Sequence, residues 1–170
     1  MRRFWPFGVA FVIALADRIS KFYIETHFAA WDVVRVIPGT FQIVYTRNTG
    51  IAFSLFENSS EGHTSPLLAG FTLAVLGLVI WLLYQAVRAR GEGSLYRAAL
   101  GLILGGAAGN CYDRVVSGSV TDFLDFYWGS AHFPVFNLAD SAITCGAILI
   151  ILHVWLQPGR ENGQGRRGLR

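Results

Sequence analysis

Residues 67–87 read LLAGFTLAVLGLVIWLLYQAV, an uncharged run from Leu67 to Val87. At about 1.5 Å per residue such a helix is ~30 Å long, the thickness of a bilayer's hydrocarbon core. This stretch therefore reads as a membrane span, and three others can be found around it. Residues 95–114 are apolar apart from Arg97 until Asn110, Asp113 and Arg114. Residues 134–156 carry one carboxylate, Asp140, near their start. Residues 4–25 begin apolar, but the uncharged run stops at Ala16, ahead of Asp17, Arg18 and Lys21. If that helix crosses, Asp17 lies in the hydrocarbon or at its edge. A cleaved signal peptide would show a small-residue site after the apolar run; Asp17 to Lys21 stands there instead, so an uncleaved span is expected.

The whole-chain arithmetic agrees. Of 170 residues, 53% are hydrophobic and 15% charged, against about 45–50% and 25% for a soluble domain. Two cysteines make no disulfide framework. The net charge of +3 is not gathered into a stripe, so no nucleic-acid partner is expected. Arg2, Arg3, Arg88, Arg90, Arg97, Arg160, Arg166, Arg167 and Arg170 flank the spans on one side, which the positive-inside rule makes cytoplasmic. Asp17, Glu25, Asp32, Glu57, Glu61, Asp113, Asp122, Asp125 and Asp140 gather at or near the other. Both termini are thus expected in the cytoplasm. The fold class is an all-α polytopic membrane protein with four transmembrane helices and a small extracytoplasmic β-hairpin or sheet element. Residues 1–157 form one membrane domain, and 158–170 are a basic, disordered, lipid-seeking tail. The hairpin is expected in the outer loop 31–65, where Val34 and Val36, then Phe41, Ile43 and Tyr45, alternate around Pro38-Gly39-Thr40. An apolar stretch, Ile51 to Phe56, follows it.

Polar groups are costly inside a membrane and are functional suspects by default. Three clusters stand at the outer ends of spans. Asp17 and Lys21 are four residues apart and can pair on one helix face. Gly101, Gly105 and Gly109 form a small-residue stripe suited to close helix packing, continued by Asp113; beside it Asn110 and Arg114 are again four apart. Asn137, Asp140 and Thr144 share a face of the last span. At Asp140 the helix dipole and apolar surroundings pull a carboxylate in opposite directions, a tension that an acid/base group uses and a plain helix N-terminus also has. The short connection Val120 to His132 carries Asp122 and Asp125 among aromatics and keeps Asp122 close to the helix ends, so Asp122 and Asp140 can meet. Two carboxylates sharing a proton can hydrolyse an amide without metal, one activating water and the other protonating the leaving nitrogen.

Competing chemistries are weaker. His27, His63, His132 and His153 have no metal-ligand spacing, so neither metal nor cofactor is expected. Cys111 and Cys145 read as packing residues, Ser141 lacks a nucleophile elbow, and Asn58-Ser59-Ser60 fits a glycosylation pattern by chance. A proton-coupled transporter would want acids at mid-span and a duplicated architecture, neither of which is present. A scaffold subunit would explain the glycines but leave Asp122 and Asp140 idle.

Five motifs in order, Asp17-Arg18-Ile19-Ser20-Lys21, Asn48-Thr49-Gly50-Ile51-Ala52-Phe53-Ser54, Gly109-Asn110-Cys111-Tyr112-Asp113-Arg114, Gly118-Ser119-Val120-Thr121-Asp122-Phe123 and Phe136-Asn137-Leu138-Ala139-Asp140-Ser141, closely resemble the lipoprotein signal peptidase (signal peptidase II) family. Ile51, where the family often has Ala, is a mild departure. The resemblance implies an aspartic endopeptidase of the bacterial inner membrane that cuts prolipoproteins before a diacylglyceryl-modified cysteine. It implies Asp122 and Asp140 as the catalytic pair, and Asp17, Lys21, Asn48, Gly50, Asn110, Asp113, Arg114, Asn137 and Ala139 as substrate-binding positions. It also implies a substrate-cradling sheet near the outer (periplasmic) membrane surface and a cleft open to globomycin-type inhibitors. The partners expected are prolipoproteins and membrane lipids, and the chain is expected to work as a monomer.

Overall fold

The computed structural model describes residues 4–30, 32–50, 66–89 and 93–156. Its elements follow in the order α1 (Trp5–His27), β1 (Val33–Ile37), β2 (Phe41–Asn48), α2 (Pro66–Arg88), α3 (Ser94–Val116), β3 (Val120–Trp128), β4 (Ala131–His132) and α4 (Leu138–Trp155). The apolar stretch 51–56, the Asn58-Ser59-Ser60 pattern and the basic tail 158–170 lie outside the described residues.

Helix α3 is the hub, packing on α1, α2 and α4. Its glycines make that possible. A Cβ at Gly101 would come 2.7 Å from the Pro6 carbonyl oxygen, and one at Gly105 2.6 Å from that of Ala10, so α1 lies directly on the α3 backbone. The opposite side of α3 meets α4 in the same way, where Gly106 faces Ala139 and Gly146 faces Ala99 and Ile103. Small residues at such spacing let helices approach within van der Waals contact of their backbones. An apolar cluster of Ala10, Val79, Leu83, Ala86, Val87, Leu100 and Leu104 joins α1, α2 and α3.

The expected hairpin is part of a larger antiparallel sheet, ordered β1-β2-β3-β4. The connection 120–132, read from sequence as a short loop, contributes its two last strands. Gly118, at φ +67°, turns the chain from α3 into β3, a left-handed conformation that glycine adopts without penalty. β3 pairs with β2 from Asn48↔Val120 to Phe41↔Phe126, with a register shift between Ile43 and Thr46. Val120 to Phe123 are buried, and the strand then emerges into an exposed end at Trp128.

Polarity is distributed inside out compared with a soluble domain. Asp17, Lys21 and Asn137 are fully buried, whereas Phe11, Phe22, Phe71, Trp81, Ile151 and Val154 are exposed. Contiguous apolar surface on that scale needs an apolar surrounding. Among the described residues, two helical stretches are long and apolar enough to cross a bilayer, Gly70–Arg88 and Leu138–Trp155. α1 and α3 reach the length but carry charges, Asp17, Arg18, Lys21 and Glu25 toward the end of the first, and Arg97 near the start and Asp113 and Arg114 near the end of the second.

Candidate active site

The charged ends of α1 and α3, the start of β3 and the start of α4 converge. Asn137 organises the junction. It is the N-cap of α4 and forms a capping box with Asp140: its Oδ1 accepts from the Asp140 backbone N–H at 3.0 Å, and Asp140 Oδ2 accepts from the Asn137 N–H at 3.2 Å. This arrangement satisfies two of the orphan donors at a helix start and fixes the Asp140 carboxylate. The Asn137 side-chain amide then donates to Asp122 Oδ1 at 2.6 Å. One buried residue thereby ties the two carboxylates together, one on β3 and one on α4.

Each carboxylate has a second amide partner. Asn110 Nδ2 on α3 donates to Asp140 Oδ1 at 2.7 Å, and Asn48 Nδ2 at the end of β2 donates to Asp122 Oδ2 at 3.1 Å. Asn48 is itself aimed by the Gly50 N–H, which donates to its Oδ1 at 3.0 Å. Asp122 is buried, and its pKa is pushed from 3.8 up to about 6, first by loss of hydration and next by the negative charge of Asp140, against the lowering pull of the Asn48 and Asn137 hydrogen bonds.

Both aspartates open on a cleft of about 810 Å³. Asn48 and Gly50 on one side, Asn110 and Arg114 on α3, Phe133 and Phe136 above and Thr144 and Cys145 down α4 line it. Arg114 Nη1 donates to the Asn110 carbonyl oxygen at 3.4 Å, while its buried Nε has no partner among the described residues. The wall of the cleft thus mixes amides, a guanidinium and aromatic and aliphatic surface, which suits a ligand with both a peptide and an apolar part.

Four of the residues expected to bind substrate, Asp17, Lys21, Asp113 and Ala139, do not line this cleft. They form the layer beneath it, almost wholly buried. The Lys21 ammonium lies 2.8 Å from Asp17 Oδ2 and 2.7 Å from Asp113 Oδ2, and donates to Asn110 Oδ1 at 2.9 Å. Asp17 Oδ1 accepts from the Ala139 N–H at 2.9 Å at the first turn of α4. The reason is stereochemical. Asp17 and Lys21 project from the α1 face that lies on Gly109, where a Cβ would stand 2.5 Å from Asp17 Oδ2, so their charges meet inside the helix seam. From there Lys21 contacts Asn110 and Asp17 contacts the α4 N-terminus. Asn137 likewise sits between the aspartates and behind the opening. The sequence reading named neither Glu25 nor Thr121 as site residues, yet the Thr121 hydroxyl donates to Glu25 Oε1 at 2.8 Å next to Asp122. No spacing rule signals a contact between residues so far apart in the chain. Asp125, the other acid of the connection, points elsewhere, to Gln42 and His132.

No group of three or more His, Cys, Asp or Glu side chains arranged to hold a metal occurs among the described residues.

A family model described as signal peptidase (SPase) II matches residues 9–156. The lipoprotein signal peptidase of Solibacter usitatus is 41% identical over 162 residues, covering 94% of each chain. That of Yersinia pseudotuberculosis is 41% identical over 154 residues, covering 91% of this chain and 88% of the relative. Two solved structures, each described as a bacterial membrane enzyme, share the fold. One aligns with a TM-score of 0.76 at 26% identity over 97% of this chain and 94% of its own, and the other with 0.73 at 30% over 91% and 94%. The chain belongs to the signal peptidase II family of aspartic peptidases.

Proposed function

We propose that the protein removes signal peptides from diacylglyceryl-modified prolipoproteins, cutting just before the lipidated cysteine with Asp122 and Asp140 as its catalytic pair. The observation that carries this reading is the Asn137 bridge, which holds two carboxylates from separate elements against one half-apolar cleft. In the bilayer the chain crosses four times with both termini cytoplasmic, which sets the cleft at the periplasmic face of the inner membrane. A substrate whose acyl chains stay in the outer leaflet then presents its scissile bond at that depth.

Asp140 is the general base. It accepts N–H bonds from Asn110 and from the α4 start, and a helix N-terminus favours negative charge. Asp122 holds the proton, as its raised pKa favours. A water between them gives a proton to Asp140 as its oxygen bonds to the scissile carbonyl carbon. Asp122 then protonates the leaving nitrogen, the C–N bond breaks, and the lipidated cysteine departs with a free amine. Proton exchange between the two acids restores the starting state. Arg114, through its Nε, which has no partner among the described residues, holds a substrate carbonyl or ester oxygen. Globomycin-type peptides enter the same cleft, and the monomer is the working unit.

The test is cleavage by full-length Asp122→Asn and Asp140→Asn proteins beside wild type. Each variant is isosteric and should stay folded while losing at least about 10³-fold in kcat, the scale of a lost acid or base. Turnover within tenfold of wild type by either variant would remove that residue from the catalytic pair.

A further inference from the structure

The ladder of the strand that carries Asp122 is regular from Val120 to Asp122 and changes register directly after it. β3 pairs with β2 in register at Ile43↔Leu124 and again at Thr46↔Asp122, and the irregularity falls between those two pairs. Such a bulge bends the strand and raises its twist next to Asp122, so side-chain contacts on either face help to set how that carboxylate is aimed. Successive side chains leave a strand on opposite faces. Asp122 faces the cleft and Thr121, almost fully buried, faces away from it toward α1.

There Thr121 meets Glu25. Its hydroxyl donates to Glu25 Oε1 at 2.8 Å. Arg18, two turns earlier on α1, grips the same carboxylate, Nη2 to Oε2 at 2.6 Å and Nη1 to Oε1 at 3.3 Å, and also donates from Nη1 to Asp113 Oδ1 at 3.3 Å. Asp113 is in turn held by Lys21. Glu25 thus closes a chain of charges that runs through α1 and α3 and ends on β3, with Arg47 on β2 as a further positive neighbour. An exposed Arg–Glu pair along one helix would contribute little. This one is only partly exposed, at 33% and 21% for its two side chains, and it ends on a buried hydroxyl that has no part in α1. On the other side of the same residue, the Thr121 carbonyl oxygen accepts from Asn137 Nδ2 at 3.4 Å, the nitrogen that donates to Asp122.

We propose that Glu25 is a positioning residue for catalysis. With Arg18 behind it, its carboxylate braces the Thr121 hydroxyl and so sets the β3 backbone that aims Asp122 at Asp140. The inference rests on the two-aspartate reading above. Glu25 touches no reacting atom; it acts through the strand.

The experiment uses the full chain in detergent with a diacylglyceryl-modified prolipoprotein as substrate, together with hydrogen exchange of the amides of residues 120–123. Thr121→Val removes the hydroxyl at constant shape, and Glu25→Ala removes the acceptor. Each should lower kcat about tenfold with KM within twofold, the scale of one charge-assisted hydrogen bond. The double variant should be no slower than the slower single, because both cut one link. Thr121→Ser, and Glu25→Gln with its remaining acceptor oxygen, should return to within about threefold of wild type. Exchange at 120–123 should rise severalfold in Thr121→Val and Glu25→Ala and stay unchanged in Asp122→Asn. Unchanged exchange in both would overturn the brace, as would additive losses in kcat or a change in KM alone. If Asp122→Asn itself turns over normally, the two-aspartate reading fails, and the exchange data still decide whether Glu25 holds the strand.

Discussion

Lys21→Met offers a severe and calculable perturbation. Methionine keeps the length of the side chain and removes the charge. Lys21 is fully buried, and its ammonium is shared by Asp17, Asp113 and Asn110 at 2.8, 2.7 and 2.9 Å. Its removal leaves the two carboxylates unequally placed. Asp113 keeps Arg18 at 3.3 Å, but Asp17 keeps only the Ala139 N–H at 2.9 Å. Stranding one partner of a buried ion pair costs about 3–5 kcal/mol. At roughly 2–4 °C per kcal/mol for a chain of this size, the apparent Tm should fall by about 6–20 °C. Asp17 is the orphan, so its neutralisation should change sign with context. Asp17→Asn alone should destabilise, since Lys21 then loses one of its two counter-charges and keeps Asp113 alone. Added to Lys21→Met it should stabilise by several degrees, since the asparagine oxygen still accepts from Ala139. The assay is thermal unfolding of the four proteins of this cycle in one detergent, with cleavage measured on each. Activity should fall further than stability in Lys21→Met, because Asn110 Oδ1 loses the shorter of its two donors, keeping Asn137 Nδ2 at 3.2 Å, and its Nδ2 is less firmly turned toward Asp140. A Tm shift under about 3 °C for Lys21→Met, or strictly additive effects in the cycle, would refute the reasoning.

Three further outcomes follow from the same geometry. The alkaline limb of kcat/KM against pH should lie near pH 6, where Asp122 loses its proton, and Asn48→Ala should move it upward, because the lost hydrogen bond favoured the ionised form; a limb that stays or moves down contradicts this. Asp122 should also make the folded state less stable as pH rises. Its value is raised from 3.8 to about 6, so the protonated form is the one folding favours, and about 3 kcal/mol present below pH ~4 should be lost by the time pH has risen through ~6. Urea unfolding at several pH values, with Asp122→Asn flattening that slope, checks it. Gly109→Ala should disrupt the α1–α3 seam, since its Cβ would stand 2.5 Å from Asp17 Oδ2, whereas Gly77→Ala, with no neighbour within 4 Å, should be neutral or slightly stabilising; equal Tm values for the two variants would contradict the packing.

The sequence announced the parts of this molecule that repeat locally. Long apolar runs located the four helices, the glycine stripe located the close contact of α3 with α1, and the four-residue spacing of Asp17 and Lys21 announced their pair. It did not announce the second half of the sheet. Along Val120 to Trp128 the acids fall three residues apart, at Asp122 and Asp125, which masks the two-residue period of a strand, and pairing with β2 is a long-range choice. The depth of each polar residue was equally hidden. Asp113 stands at the end of a span, yet it is buried against Lys21 and Arg18. Asn137 and Asp140 were legible as one face of a helix, and their three-residue spacing also carried a helix-cap signal that the face reading passed over. Glu25 had no signal at all, because its partner Thr121 is reached only through the tertiary fold.

The central claim is that two aspartates on a shared asparagine cut a lipid-modified substrate at the membrane surface. The most direct measurement incubates the purified protein in detergent with a prolipoprotein carrying diacylglyceryl on its cysteine, beside Asp140→Asn and beside the same prolipoprotein without the lipid, and sequences the product's new N-terminus. The account predicts a single cut immediately before the lipidated cysteine by wild type, none by Asp140→Asn, and little or none on the unmodified substrate. Intact substrate after incubation with folded wild-type protein, or an undiminished cut by Asp140→Asn, would contradict it.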